Sequence, residues 1–540
     1  MHIGLDLDNT LVCYDRVFAQ AAQQQGLLPR DWQGGKQKLR NLLRSREGGG
    51  EDWQILQGQV YGALMNQAEL MPGAGWFLLH CKACDVRVSI VSHKTQYSPK
   101  DPGRVPLREM ALRWMTSLGF FDSDRFSISP EAVYFEDTRE KKVRRIAALG
   151  CTHFVDDLPE VFSAPEFPNN VVRILYRTEE LGDDLPEGVS SCPDWTLIGS
   201  MLLGRESERD LAIISQGLMP ELAINRCQSV SGGGNSRVYR LSCSGGKLLA
   251  LKRYPSSARD SRDRLGTETK ACHFLRSQGA AQVAAVADIN EENQVAALEW
   301  IEGERLDAPS RGDLAQLVDF VSQLDLLRHA KGARAFAPAS EACFSGQEIY
   351  RQIQFRRDRL GQLAIKSPGL LSHLRQDFDP VFARLRRWVR HRWPIDQAFD
   401  EELSTQYRTL SPSDLGFHNT LRERSGTLRI IDFEYFGWDD PVKLTSDFCW
   451  HPGMTLDQRM RDEWIRAVTD IFARDGSFTA RLQAAHPLYG LRWAMIVLNP
   501  FLMSQKYNLV PTKVLCTQLE KSTNLCRKVA LLIEDERYSF

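Results

Sequence analysis

No apolar run in the 540-residue chain approaches the ~20 residues that a membrane-spanning helix needs. The start, Met1 to Asp6, lacks a basic segment followed by an apolar stretch, so no signal peptide is expected. An excess of either charge is missing too. Lys and Arg number 68 against 69 Asp and Glu, a net charge of -1, which argues against general polyanion binding and leaves room for a local basic face. Internal repeats and low-complexity tracts are absent. Of the 12 cysteines, Cys81 and Cys84 form the one C-x2-C pair, with no second pair at zinc-ribbon spacing. Structural thiols, or a redox or metal pair, are the two readings of that spacing. Together these absences point to a reducing cytoplasm and no membrane partner.

What is present is the composition of a globular protein, 43% hydrophobic and 25% charged. The chain is too long for one core, so two or three domains are expected.

The short strand Ile3-Gly4-Leu5 runs into Asp6-Leu7-Asp8-Asn9-Thr10-Leu11. Two carboxylates two residues apart just past a strand can both point at a phosphate. One attacks phosphorus and binds Mg²⁺, and the other donates a proton to the leaving oxygen. Further along, Val86 to Val91 reads as a strand with Ser92 at its end, followed by His93-Lys94-Thr95. Thr138 opens a helix with K-x3-I-x2-L-G counted from Lys142. Thr152 to Val155 is a strand ending in Asp156-Asp157. Three of these motifs lie just past strands, which is switch-point geometry of an open parallel sheet. The ordered set resembles the haloacid dehalogenase superfamily of phosphatases. That resemblance implies Asp6 as nucleophile, Asp8 as acid and base, and Ser92 as a hydrogen bond to the phosphoryl group. It also implies Lys142, with Lys141 as fallback, as the neutralising cation, and Mg²⁺ on Asp6, Asp8, Asp156 and Asp157. The mostly helical stretch from about 12 to 70, with a flexible Gly48-Gly49-Gly50 break, resembles the small cap by which that family selects small substrates. An α/β Rossmannoid domain over 1–203 is the expected fold.

Residues 204–222 read as a connecting helix, and 223–540 as an α+β bilobal domain with lobes of about 223–303 and 304–540. Gly232, Gly233, Gly234 and Asn235 lie between two strand-like runs, where glycine lets backbone N–H groups approach phosphates; a plain β-turn is the other reading. Lys252 follows on a strand and Glu268 on a helix. Ala296 to Gly303 resembles the hinge of kinase-like enzymes, a resemblance that implies backbone groups at Glu299 and Ile301 bonding adenine. Asp414 and Asn419 then stand five apart on a loop, and Asp432 follows the run Leu428 to Ile431. One carboxylate to orient a hydroxyl, and an Asn and a second carboxylate to hold Mg²⁺, are what phosphoryl transfer requires.

This order resembles the aminoglycoside phosphotransferase and choline kinase group of protein-kinase-like enzymes. There the loop often reads H-G-D-x4-N; Pro412 stands here where that His would be. The resemblance implies ATP as co-substrate, Asp414 as base, and Asn419 and Asp432 as Mg²⁺ ligands. The expected whole is a bifunctional, Mg²⁺-dependent phosphatase and small-molecule kinase acting on phosphorylated and hydroxylated metabolites. Economy of ATP suggests different positions or consecutive intermediates, as in routes to activated sugars for surface polysaccharides. Two alternatives are a nucleic-acid end-processing enzyme and a phosphatase gated by an ATP-binding pseudokinase. The first meets two obstacles. No G-x4-G-K-[ST] loop occurs, and the eleven Arg/Lys between Arg351 and Trp393 read as the basic outer face of amphipathic helices.

Overall fold

The computed structural model describes the chain apart from residues 30, 31, 33, 99–102, 178–184, 231–235, 256–259, 261, 366, 396, 455, 508, 509 and 536–540, and the side chains of 504–507. Gly232, Gly233, Gly234 and Asn235 therefore lie outside the described residues. Two compact units result. One is Met1–Leu265 with Val286–Trp300, and the other is Gly266–Ala285 with Ile301–Phe540.

The first unit is built on a six-stranded parallel sheet. Its order is Val133–Glu136, Arg87–His93, His2–Leu5, His153–Asp156, Val172–Tyr176, Val189–Cys192. Counted along the chain that order is 3-2-1-4-5-6, with the reversal between His2–Leu5 and His153–Asp156. Loops leave the sheet on opposite sides at such a reversal and open a crevice at the carboxyl ends of the two strands. Asp6 and Asp156 stand at those ends. The first strand is buried throughout, as an apolar central strand must be. Gly4 is needed there, because a Cβ would sit 2.4 Å from the Phe154 ring on the neighbouring strand.

Between Thr10 and Met71 the chain forms the helices Asp15–Gln24, Lys36–Arg44 and Gly49–Tyr61. It enters and leaves this insertion through a two-residue antiparallel pair, Val12 opposite Leu70 and Cys13 opposite Glu69. Phe18 stacks on Trp53 at 4.9 Å in the insertion's core. The expected flexible glycine break is instead a tight corner. Gly48 takes a φ of 72°, and Gly49 and Gly50 already form the first turn of the next helix. A Cβ on Gly49 would lie 1.8 Å from the Leu43 carbonyl oxygen, so close helix approach is what requires glycine there.

The helix Glu208–Leu218 begins with a capping box between Ser207 and Asp210 and buries Leu211, Ile214 and Leu218. These side chains share one core with Leu241 and Leu251 of a five-stranded antiparallel sheet. That sheet runs Val286–Asn290, Val295–Glu299, Leu248–Arg253, Arg237–Cys243, Ile224–Val230. The first compact unit thus takes in the stretch read as a connection and the sheet that follows it. All 12 cysteines are free thiols; Cys81 is buried in the core and Cys84 is exposed.

The second unit is mainly helical, with Arg311–Leu327, Gly346–Ala364, Asp379–Arg392, Pro441–Trp450, Gln458–Ile471, Phe478–Ile496 and Thr512–Glu534 as its longer helices. Two small sheets carry its loops: Gly303–Arg305 with Thr420–Glu423 and Leu428–Ile430, and Thr409–Ser411 with Gly437–Asp439. Among the described residues no helix is long and apolar enough to cross a membrane.

Candidate functional sites

In the first unit, Lys142 is the hub. Thr138 caps the helix Arg139–Leu149, and Lys142 on its first turn is 1% exposed. Its Nζ donates to Asp6 Oδ1 at 2.5 Å and to Asp156 Oδ2 at 2.6 Å. Lys141 points the other way, exposed beside Asp137 at 3.4 Å. Burial alone would lower the Lys142 ammonium, but Asp156 and Asp6 more than offset it and hold it above its ordinary range. Burial pushes the Asp6 carboxyl up, Lys142 pulls against this, and Asp156, Asp157 and Asp8 add to the rise. Asp157, bonded by Asn9 Nδ2 at 3.2 Å, is pushed up to about 7 by burial and by Asp156. Carboxylate oxygens of Asp6, Asp156 and Asp157 all lie within 4.8 Å of one another. Three hard oxygen donors at a sheet switch point suit Mg²⁺, and a dication there would reverse the upward push on the carboxyls.

Asp8 stands outside that trio. Lys94 Nζ donates to both its oxygens, at 3.0 and 2.9 Å, and the Tyr14 hydroxyl donates at 2.5 Å. Burial would raise the Asp8 carboxyl, but Lys94 and Tyr14 hold it below its ordinary value. Ser92 lies in the strand Arg87–His93, one residue before its end, with its Oγ buried and without a partner among the described residues. All these groups, Asp156 apart, line one cleft of about 730 Å³, together with Lys36, Arg40 and Tyr61 from the insertion. Lys36, Lys94 and the Tyr14 hydroxyl were not singled out as site groups by sequence reasoning. Lys36 and Tyr14 meet Asn9 and Asp8 through the insertion's fold, and Lys94 meets Asp8 because the strand it follows, Arg87–His93, lies beside His2–Leu5 in the sheet.

In the second unit, Asp414 sits on the loop after Thr409–Ser411. Asn419 Nδ2 donates to its backbone oxygen at 3.0 Å and to Oδ2 at 3.3 Å, which leaves the Asn419 side-chain oxygen for another ligand. His418 Nε2 lies 3.2 Å from Asp414 Oδ1, and His451 Nε2 lies 3.6 Å from the same atom. The two imidazoles stack at 3.7 Å. Burial would raise the Asp414 carboxyl, but His418 and then His451 hold it down at about 2. Ser413, at a φ of 66°, accepts from Lys443 Nζ at 2.8 Å. Lys443 is itself fully buried between Asp439 at 2.8 Å and Asp447 at 3.3 Å, so the loop is tied to a buried ion network.

Asn419 precedes the strand Thr420–Glu423, and Ile431 N–H donates to its carbonyl at 3.0 Å. The hairpin therefore brings Asn419 opposite the residue before Asp432. Asp432 takes a φ of 69°, and its carboxylate lies within 4.8 Å of those of Glu268 and Glu434. Glu434 was missed; the D-F-E order gave no reason to weigh it. Lys252 is buried on the strand Leu248–Arg253 of the first unit, and Glu268 is on a helix of the second. Glu299 ends the strand Val295–Glu299, and Ile301 is buried at the opening of the next segment. A cleft of about 660 Å³ in the second unit is lined by Glu341, Arg351, Gln352, Arg356 and Arg359. Ser413 Oγ donates to the Ser340 carbonyl at 3.0 Å, beside Glu341 of that lining.

A loop carboxylate bonded by an Asn, with acidic groups across a hairpin, is a kinase-like arrangement. Residues 226–484 match the phosphotransferase enzyme family, APH, so the C-terminal part of the chain is a phosphotransferase domain of kinase-like fold. Among solved structures, spectinomycin phosphotransferase APH(9)-Ia in complex with ADP and spectinomycin is 12% identical, with 58% of this chain and 94% of that one covered at a TM-score of 0.43. An ethanolamine kinase of Plasmodium vivax is 14% identical, covering 60% and 92% at 0.42. Choline kinase LicA of Streptococcus pneumoniae is 14% identical, covering 58% and 98% at 0.39. No curated protein matches the chain.

Proposed function

We propose that the chain is a bifunctional enzyme, a phosphomonoesterase of the haloacid dehalogenase type joined to an ATP-dependent small-molecule kinase. The observation that carries the phosphatase half is Lys142, buried between Asp6 and Asp156 at 2.5 and 2.6 Å. One buried ammonium shared by two carboxylates, with Asp157 beside them, leaves the group net negative, a balance that a dication at the switch point would restore. Asp6 attacks the phosphorus and forms an aspartyl-phosphate as the alcohol leaves. Ser92 donates to a phosphoryl oxygen, which answers its lone buried hydroxyl. Asp8 serves as acid and then as base toward the hydrolytic water, steered by Tyr14 and Lys94. Mg²⁺ on Asp6, Asp156 and Asp157 would neutralise phosphoryl charge.

In the kinase half, Asp414 accepts the proton of the acceptor hydroxyl. Asn419 and Asp432 supply oxygens for Mg²⁺, with Glu268 and Glu434 beside Asp432. Lys252, the glycines at 232–234 and Asn235 serve the ATP phosphates, and the backbone at Glu299 and Ile301 serves adenine. The family match over 226–484 supports this half. Hydroxylated metabolites, including sugar intermediates, are the proposed acceptors.

The test uses the full chain. Wild-type protein with Mg²⁺ should release phosphate from a panel of phosphomonoesters, and Asp6→Asn should not. The same Asp6→Asn protein, unable to erase a kinase product, should release ADP with a sugar or amino-alcohol acceptor. Hydrolysis that persists in Asp6→Asn would remove the nucleophile assignment. ATP binding without transfer to any acceptor would favour a regulatory domain instead.

A further inference from the structure

Lys36 and Arg40 lie one turn apart on the helix Lys36–Arg44 of the insertion, and both line the cleft that holds Asp6. Lys36 Nζ donates to Asn9 Oδ1 and to the Tyr61 hydroxyl, each at 2.6 Å, and sits over the Tyr14, Phe18 and Tyr61 rings at 5.2 to 5.7 Å. Neither residue has a carboxylate partner within ion-pair distance among the described residues, and Arg40 Nε is buried with no hydrogen-bond partner. The other two ammonium groups of the cleft are matched: Lys94 to Asp8, and Lys142 to Asp6 and Asp156. Lys36 is offset in part by Asp157 and Asp8 beyond ion-pair distance, whereas Arg40 has no carboxylate that close among the described residues and keeps an orphaned buried Nε, so the guanidinium is the group that an anion arriving with the ligand would satisfy, with Lys36 one turn away.

Asp6, Ser92 and Lys142 already bracket the reacting phosphoryl group from the sheet side. The insertion's cations come from elsewhere in the chain, and Arg40 is about 6 Å further along its helix than Lys36. Resting on the phosphatase reading above, we propose that this site takes phosphomonoesters carrying a second anionic group, a carboxylate or another phosphate, held by Lys36 and Arg40. Guanidinium and ammonium on one helix face form a fork for such an oxyanion.

Matched pairs of probes test this: 3-phosphoglycerate against glycerol 3-phosphate for the carboxylate, and fructose 1,6-bisphosphate against fructose 6-phosphate for the phosphate. Binding to full-length Asp6→Asn protein with Mg²⁺ is measured by titration calorimetry, and hydrolysis is measured with protein that keeps Asp6. At least one doubly anionic probe should bind about tenfold or more tighter than its partner, the worth of one charge-assisted contact. Arg40→Gln and, separately, Lys36→Met should collapse that ratio in both binding and kcat/KM. Equal binding within both pairs, or a preference that survives both substitutions, overturns the proposal. So does an equal loss on singly and doubly anionic probes, which would assign the two cations to the reacting phosphate. A binding preference without any hydrolysis by protein that keeps Asp6 would leave the anion site standing and remove the phosphatase reading.

Discussion

The two acidic centres of this chain hold their carboxylates in opposite ways. In the first unit, carboxylates crowd one another: Asp157 is pushed up to about 7, and one buried lysine is shared between Asp6 and Asp156. In the second, Asp414 meets imidazoles and an amide and is held down at about 2. A carboxylate cluster short of positive charge is arranged to gain it from a metal dication. A carboxylate that is already ionised and hydrogen-bonded is arranged to orient a hydroxyl. The chemistry proposed for each centre accounts for the difference. Both roles need an ionised carboxylate: the crowded cluster would reach that state once a dication sits on it, whereas Asp414 is held there by its own neighbours.

Removing the shared cation should have the largest effect. Lys142→Met leaves Asp6 and Asp156 facing each other in a buried site. Phosphatase turnover should vanish, and the first unit should lose about 3–5 kcal/mol in urea unfolding, as for a buried ion pair stripped of one partner. Unchanged stability would mean that the lysine is not the hub of this centre. Next comes the proposed base of the second centre. Asp414→Asn should lower ATP-dependent transfer by about 10²–10⁴-fold while phosphate release persists. Equal loss of both activities would collapse the contrast between the centres.

Acid should act on the second unit through its buried imidazoles. Burial and then His418 push His451 down to about 4, against Asp414 and Asp447, and burial takes His486 down to about 3. The unfolded chain has ordinary histidines near 6.5, so it binds more protons than the folded chain between about 6.5 and 3. Stability of this unit should therefore fall as pH drops through that window. His486→Gln, which keeps a polar group for Ser446 at 3.2 Å, should flatten the slope. A slope unaltered in His486→Gln would place the acid response on other groups.

Much of both centres was legible because most of the motifs sit where a strand ends, and Lys142 where a capped helix begins. Asp6 follows His2–Leu5, Asp156 ends His153–Asp156, and Asp432 follows Leu428–Ile430 by two residues. Apolar runs followed by carboxylates announce such positions in one dimension. Lys36 and Tyr14 were not legible as partners of Asn9 and Asp8, because their contacts are made through the insertion's packing, nor was Lys94, whose contact depends on which strand lies beside His2–Leu5. His451 reaches Asp414 from 37 residues away, after an intervening helix, and no local pattern marks it. Glycine meaning was misread at 48–50, since freedom and close approach use the same residue and only the neighbouring Leu43 carbonyl tells them apart. The stretch 204–222 has the polar ends of a connection, yet its Leu211, Ile214 and Leu218 join the core of the sheet beside it.

The smallest predicted effect separates Asp8 from its neighbours. Tyr14 is 1% exposed, and its hydroxyl donates to Asp8 at 2.5 Å, alongside the two Lys94 contacts. Tyr14→Phe keeps the ring against Phe18 and Tyr61 and removes one donor from an ionised carboxylate. A hydrogen bond to a charged group is worth about 1.5–3 kcal/mol, or about one pKa unit or more. Asp8, now held down chiefly by Lys94, should titrate higher, so the acidic limb of the phosphatase rate profile should move to higher pH. The kinase profile should stay where it is. A shift in neither limb would mean that Asp8 does not carry the proton in the rate-determining step, and a shift in both would mean that the two centres do not titrate separately.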